Sequence, residues 1–288
     1  MAGSVLQVVL DAANYTLILM LVALGLAIVF GLMNVINMAH GEFMMIGAYV
    51  VLLCHQAGLP VGVGMLMAPL AVAVLGLVVE ELLVRRVYAR LLDTILATWG
   101  LSLILKQAMV LLFGPGSYSV PNPLPATVEL LGSPYPLYRL FVMAVTLVIL
   151  AATFWLFFRT SWGLSARSVI ANRSMAACLG IDTRRLDRLT FSFGAGLAGL
   201  AGAVMAPLVS LDPQMGLGFL VPAFLSILVG GLGSVAAPLA GATAVGVTDH
   251  LVSTFFSPVW AQGVVFTVAI LLIRAFPQGL MARARRRV

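Results

Sequence analysis

The chain has 288 residues, 62% of them apolar and only 9% charged, with a mean hydropathy of +1.11 and a formal net charge of +6. Soluble globular proteins carry roughly 45–50% apolar and about 25% charged residues. So few charged side chains cannot wet the surface of a chain this long, which excludes a soluble, disordered or fibrous protein and leaves lipid as the solvent for most of that surface.

Charge-free runs mark the membrane, and each reaches the ~20 residues a helix needs to cross about 30 Å of hydrocarbon. Divided at turn-forming residues, they predict spans near 10–31, 37–56, 62–83, 92–113, 139–158, 189–210, 218–233, 236–256 and 259–276. No Lys or Arg precedes Arg85, so the first apolar segment lacks the basic start of a cleaved signal peptide and is expected to stay in the mature protein.

Between the first two spans lies a polar patch, Asn34-Val-Ile-Asn37-Met-Ala-His40-Gly-Glu42. Ionisable groups at membrane depth are expensive and count as functional candidates. A His-x-Glu pair is compatible with metal binding or proton transfer, but no second His or Cys cluster completes a ligand set, so no metal is expected. Two alternatives remain: a helix break lining a polar path, or a Glu42 carboxylate stabilising the start of the next helix through its dipole.

Arg85, Arg86 and Arg90 form a basic loop. Short loops rich in Lys and Arg stay in the cytoplasm, so this loop fixes orientation. Lys106, the one lysine among 16 basic residues, lies in the 92–113 span and is expected to snorkel to the outer interface. The segment 114–138 holds seven prolines or glycines before Pro134 and no Lys or Arg, and reads as an extracytoplasmic loop. A longer basic loop over 159–188 carries Arg159, Arg167, Arg173, Arg184, Arg185 and Arg188, and Arg283, Arg285, Arg286 and Arg287 form a third cluster. Counting crossings from these loops places the N-terminus outside and the C-terminus in the cytoplasm, which requires an odd number of spans. The arginines fall at the ends of apolar runs, as in membrane topology rather than on a phosphate-binding face, so no nucleic-acid partner is expected.

Within the long basic loop, a short cytoplasmic helix is predicted over 165–179, stopped by Gly180 in the left-handed C-terminal position. Its small Ala176-Ala177 face suits docking into a groove on another protein, against the alternative of a surface anchor. Many of the 28 glycines, such as Gly194, Gly196, Gly199 and Gly202, are read as close helix contacts in lipid. Gly230, Gly231, Gly233 and Ser234 instead mark a candidate interrupted helix, the way transporters expose backbone groups near the midplane. Cys54 and Cys178 read as small apolar fillers. No P-loop, G-x-S-x-G or HExxH motif occurs, so no catalysis is expected of this chain. A self-sufficient channel or ion-coupled carrier, resting on His40, Glu42 and Lys106, is the rival class.

Several stretches together resemble one known family: Gly25–Gly47, Thr94–Leu105 with Leu112-Phe-Gly-Pro115, Met175–Ile181, Leu189–Gly202, Val229–Ser234 and Pro277-Gln-Gly-Leu280. The sequence resembles the inner-membrane permease subunits of ABC importers for branched-chain amino acids, the LivH type, and the related urea-importer permeases, the UrtB type. That resemblance implies an all-α polytopic bundle of about eight or nine spans with broken or re-entrant segments, a single permease domain over 1–288, and residence in the bacterial inner membrane. It further implies a non-enzymatic subunit whose ATP is bound by two cytoplasmic ATPase subunits, working with a second permease of LivM or UrtC type and a periplasmic substrate-binding protein. Asn34, Asn37, His40 and Glu42, with Gly230, Gly231, Gly233 and Ser234, resemble pathway positions. Arg173, Met175, Ala176, Ala177, Gly180 and Ile181, within 159–188, resemble the ATPase-coupling loop. Met175 stands where many relatives have glutamate, and Lys106 where the residue is usually neutral. The substrate implied is a branched-chain or other hydrophobic amino acid, with urea or a short amide as the alternative.

Overall fold

The computed structural model describes residues 2–88, 90–130, 132–231, 236–277 and 279–281. In chain order they form α1 (Ala2–Met33), α2 (His40–Gln56), α3 (Val61–Val79), a π-helical turn (Glu80–Val84), α4 (Arg85–Val87), α5 (Leu91–Phe113), β1 (Thr127–Leu130), β2 (Ser133–Pro136), α6 (Leu137–Arg159), α7 (Ser161–Ala171), α8 (Arg173–Cys178), α9 (Thr183–Met205), α10 (Leu217–Gly230), α11 (Ala237–Phe255) and α12 (Pro258–Ala275). Among the described residues, six helices are long and apolar enough to cross a membrane: Val5–Met33, Val61–Val87, Leu92–Phe113, Leu137–Arg159, Thr183–Met205 and Pro258–Ala275. α10 is shorter and equally apolar.

The backbone packs as two compact units. One comprises Met1–Ala27, Asn122–Val148 and Val221–Val288, the other Ile28–Pro121 and Ile149–Leu220.

The second unit is built on α2, α3 and α9, and its seam is made of glycine. A Cβ on Gly47 would strike the backbone of Gly199, one on Gly202 the carbonyl of Met44, and one on Gly196 would come within 3.2 Å of the Pro69 carbonyl. The expected close packing by α9 glycines is therefore realised at Gly196, Gly199 and Gly202. In lipid no solvent drives helices together, so direct backbone approach supplies the contact energy. α9 begins six residues before the predicted span start because the Asp182 side chain caps it, accepting from Arg185 N at 3.0 Å. Its first turns carry Arg184, Arg185 and Arg188, which a helix tolerates where it leaves hydrocarbon.

In the first unit α1 is tied to the start of α6. Arg139 pairs with Asp11, Asn14 Nδ2 donates to the Arg139 carbonyl at 2.8 Å, and the Tyr135 hydroxyl donates to Asp11 Oδ1 at 2.9 Å. Burial, and then this bond to Asp11, push the Tyr135 phenol above its ordinary pKa. Tyr135 belongs to a feature not foreseen in the proline-rich loop: β1 and β2 pair antiparallel, Thr127 opposite Pro136 and Leu130 opposite Ser133, with Gly132 at φ +79° in the connection. Two-residue hairpin connections favour glycine there because its backbone accepts positive φ. Prolines at 134 and 136 are tolerated since a two-stranded ribbon leaves one edge of each strand unpaired.

Candidate functional site

Three places in the chain hold the candidate residues, and each lies within a single unit.

The first is the α1–α2 connection. α1 ends at Met33, and Asn34 reverses the backbone at φ +54°, the one non-glycine with positive φ among the described residues. Asparagine is among the few side chains that enter this region at modest cost. Asn37 then folds back on itself, Oδ1 accepting from Ala39 N at 3.0 Å, and α2 starts at His40. The connection is pinned to α5 by Thr98, whose Oγ1 donates to the Thr94 carbonyl of its own helix at 2.7 Å and accepts from Met38 N at 3.1 Å. Asn37, His40 and Glu42 are all buried, while Asn34 is exposed.

Glu42 lies in the first turn of α2, where a carboxylate is favoured by the helix dipole. Its Oε1 is 3.4 Å from Lys106 Nζ on α5, and its Oε2 is buried with no hydrogen-bond partner. The expected snorkelling of Lys106 is thus corrected: its side chain, 18% exposed, turns to Glu42, which is 1% exposed. A buried carboxylate on the neighbouring helix repays the ammonium for lost hydration more directly than a reach to the interface. Among the described residues no group of three His, Cys, Asp or Glu side chains could hold a metal ion.

The second place is the end of α10. The helix stops at Gly230, and Gly231 takes φ +98°. Gly230 is so close to Ala237 that a Cβ would strike its carbonyl, and the chain near the C-terminus returns to this end, Leu280 N donating to Val229 O at 3.0 Å. The predicted interruption therefore begins at Gly230 and Gly231. Gly233 and Ser234 lie outside the described residues, as do Arg283, Arg285, Arg286 and Arg287.

The third place is the basic segment after α6. One helix was expected over 165–179; two form instead, because Asn172 is extended (φ −160°) and caps the second, its Oδ1 accepting from Met175 N at 2.9 Å. A side chain that competes for backbone donors breaks a helix and starts another. Thr160 caps α7 in the same way, accepting from Gly163 N at 3.1 Å. α8 ends as foreseen. Gly180 takes φ +87°, Ile181 N reaches back to Ala176 O and Gly180 N to Ala177 O, satisfying the last carbonyls.

α8 buries Ala176 and exposes Ala177, Met175 (58%) and Leu179 (76%). Cys178 is also exposed, unlike the buried Cys54, so only Cys54 fills a core. The element is held by Arg173, which grips Asp187 of α9 through both terminal guanidinium nitrogens, Nη1 to Oδ1 at 3.1 Å and Nη2 to Oδ2. The bond to Asp187 holds the Arg173 pKa above its ordinary value despite partial burial.

Asp187 was not singled out from sequence, although its side chain is fully buried. The available signal was its place on α9, three and seven residues before Thr190 and Gly194 on the buried face. Beside it Glu80, buried in the π-helical turn, accepts from the Tyr88 hydroxyl; burial, then this bond, raise the Tyr88 pKa. Glu81 bridges Arg85 and Arg188.

Buried polar groups inside apolar helices, a helix ended at glycine and a capped basic element are the features to be accounted for, and comparison with known proteins places them in a family. Residues 8–274 match the family described as the permease component of the branched-chain amino acid transport system. The chain is 28% identical over 281 residues to the high-affinity branched-chain amino acid transport system permease protein LivH of Salmonella typhimurium, covering 91% of each. It is 27% identical over 282 residues to BraD, the permease protein of the same name in Pseudomonas aeruginosa, again covering 91% of each. It is 26% identical over 275 residues to a probable LivH permease of Methanocaldococcus jannaschii, covering 88% of this chain and 82% of that one. No solved structure matches it. With the family match extending from α1 to the end of α12, the chain belongs to the permease components of branched-chain amino acid transport systems.

Proposed function

We propose that this chain is one permease subunit of an inner-membrane ABC importer for branched-chain amino acids. It crosses the membrane nine times, with its N-terminus outside and C-terminus inside. α10 is the interrupted segment, since 14 residues rise only about 21 Å. Asn34, Asn37, His40 and Glu42, and the Gly230–Ser234 break, line the path. Two cytoplasmic ATPases bind the ATP, a second permease completes the pore, and a periplasmic binding protein delivers the substrate.

The observation that carries this reading is α8: a short helix offering Met175, Ala177 and Leu179 outward, capped at both ends and clamped by Arg173 to a long apolar helix. Such an element transmits a push from a docked ATPase into the membrane because its attachment is rigid. Arg173, Ala176, Gly180 and Ile181 set its position, and Met175 and Ala177 meet the partner.

Co-purification in detergent, with the neighbouring genes co-expressed, tests it. Two ATPases and a second permease are expected to follow the chain, and the soluble binding protein's ligand identifies the cargo. A chain isolated alone that conducts solute without ATP overturns the proposal. Ala177→Trp is expected to abolish ATPase capture while leaving membrane insertion intact, because overfilling a small-residue contact costs about 1–3 kcal/mol or more.

A further inference from the structure

Glu42 is in an unusual position for a carboxylate in apolar sequence. It is 1% exposed, one oxygen meets a single cation at 3.4 Å, and the other has no partner. Charge-assisted hydrogen bonds of this type normally close to about 2.7–2.9 Å, and a buried acceptor left unmade is costly. Lys106 is likewise underused: an ammonium has three donors, and this one remains partly exposed. On α5 the buried Ser102 and Met109 lie one turn before and after it, on the face that also carries Thr98. The pair is thus loose, unsaturated on both sides and reachable through its lysine.

We propose that Glu42 and Lys106 form a subsite for the charged head of an α-amino acid, with Lys106 taking the substrate carboxylate and Glu42 its ammonium. This inference rests on the amino-acid reading of the proposed function and goes beyond it by assigning the permease itself a share of the selectivity. A zwitterion carries adjacent opposite charges and replaces the internal pair by two external ones. When the substrate leaves, Glu42 and Lys106 close on each other, so neither state strands a buried charge. The exchange is nearly balanced, which suits a site that must bind weakly enough to release. A neutral diamide such as urea offers no charge to drive it.

The test uses the complete importer, both permeases and both ATPases, in nanodiscs without binding protein. Binding of radiolabelled leucine is competed with leucine, leucinamide, which lacks the carboxylate, and 4-methylpentanoate, which lacks the ammonium. Leucine is expected to compete about ten- to a hundredfold better than either analogue, the range for one lost hydrogen bond to a charged group. Lys106→Met is expected to erase the preference over leucinamide and keep that over 4-methylpentanoate; Glu42→Gln is expected to do the reverse.

Equal competition by all three ligands, no saturable leucine binding, or variants that weaken every ligand alike overturn the subsite. If a variant does not assemble, the wild-type profile alone decides. ATP-driven leucine uptake with the binding protein present, measured in parallel, separates the two claims. Uptake with a flat analogue profile removes the subsite only, whereas import of urea and not leucine removes the amino-acid reading and the subsite with it.

Discussion

Asp187 and Glu42 are both carboxylates buried at the start of long helices, and each faces a basic side chain that keeps some contact with solvent. Asp187 is gripped by the fork of Arg173 with one guanidinium nitrogen on each oxygen, and the same guanidinium reaches the Leu32 carbonyl at 3.5 Å. Glu42 meets only the single ammonium of Lys106 and keeps an oxygen unpaired. The guanidinium plane matches a carboxylate in two places at once, whereas an ammonium acts as a point charge. The difference separates a joint from a contact that can open. A saturated pair fixes geometry, and an unsaturated pair leaves capacity for a third group.

The sharpest way to break the comparison is Arg173→Met. It strands Asp187 without its cation and is expected to cost about 3–5 kcal/mol, read as a fall in the thermal midpoint of the detergent-solubilised protein. An unchanged midpoint would show that the fork fixes nothing. Arg173→Lys is expected to recover only part of the loss, because it restores charge without the planar fork that meets both carboxylate oxygens. Next in size is Gly202→Ala in the glycine seam, where the added methyl meets the Met44 carbonyl. About 1–3 kcal/mol is expected, measured in the same assay, and a neutral result would mean that α2 and α9 can separate freely.

A pair of double-mutant cycles then sharpens the contrast. Coupling between 173 and 187 is expected to exceed that between 42 and 106, which should be about 1 kcal/mol, near the low end for touching residues. Equal values would erase the distinction. Smallest is Asn172→Ala, which removes the α8 cap at a cost of about 1 kcal/mol. Helix content of the isolated permease should barely change, while amide exchange in 173–178 should quicken.

Much of the fold was legible because its signals are local. Apolar runs located the helices, Gly180 announced the end of α8, and the spacing of Gly196, Gly199 and Gly202 announced close packing. The β-hairpin escaped because four-residue strands interrupted by prolines resemble any loop until Gly132 is seen at positive φ. The split at Asn172 escaped because asparagine within a helical pattern signals a cap only once its side chain is seen to turn inward.

The ion pairs were the least readable. Lys106 and Glu42 are 64 positions apart and Arg173 and Asp187 are 14 apart, and no periodicity links residues on different helices. For Lys106 the local rule, that a long stem seeks the interface, lost to a tertiary partner.

The glycine seam of α2, α3 and α9 also limits how this part of the protein can move. Gly199 touches α2 at Gly47 and α3 at Val72, so one position on α9 locks two neighbours. Helices meshed at backbone contact cannot slide past one another without first pulling apart, for packed interfaces move between discrete arrangements rather than deforming smoothly. The three therefore travel as one rigid lever. Movement of this lever during a transport cycle is then expected to be taken up where the backbone reverses ahead of α2, at Asn34.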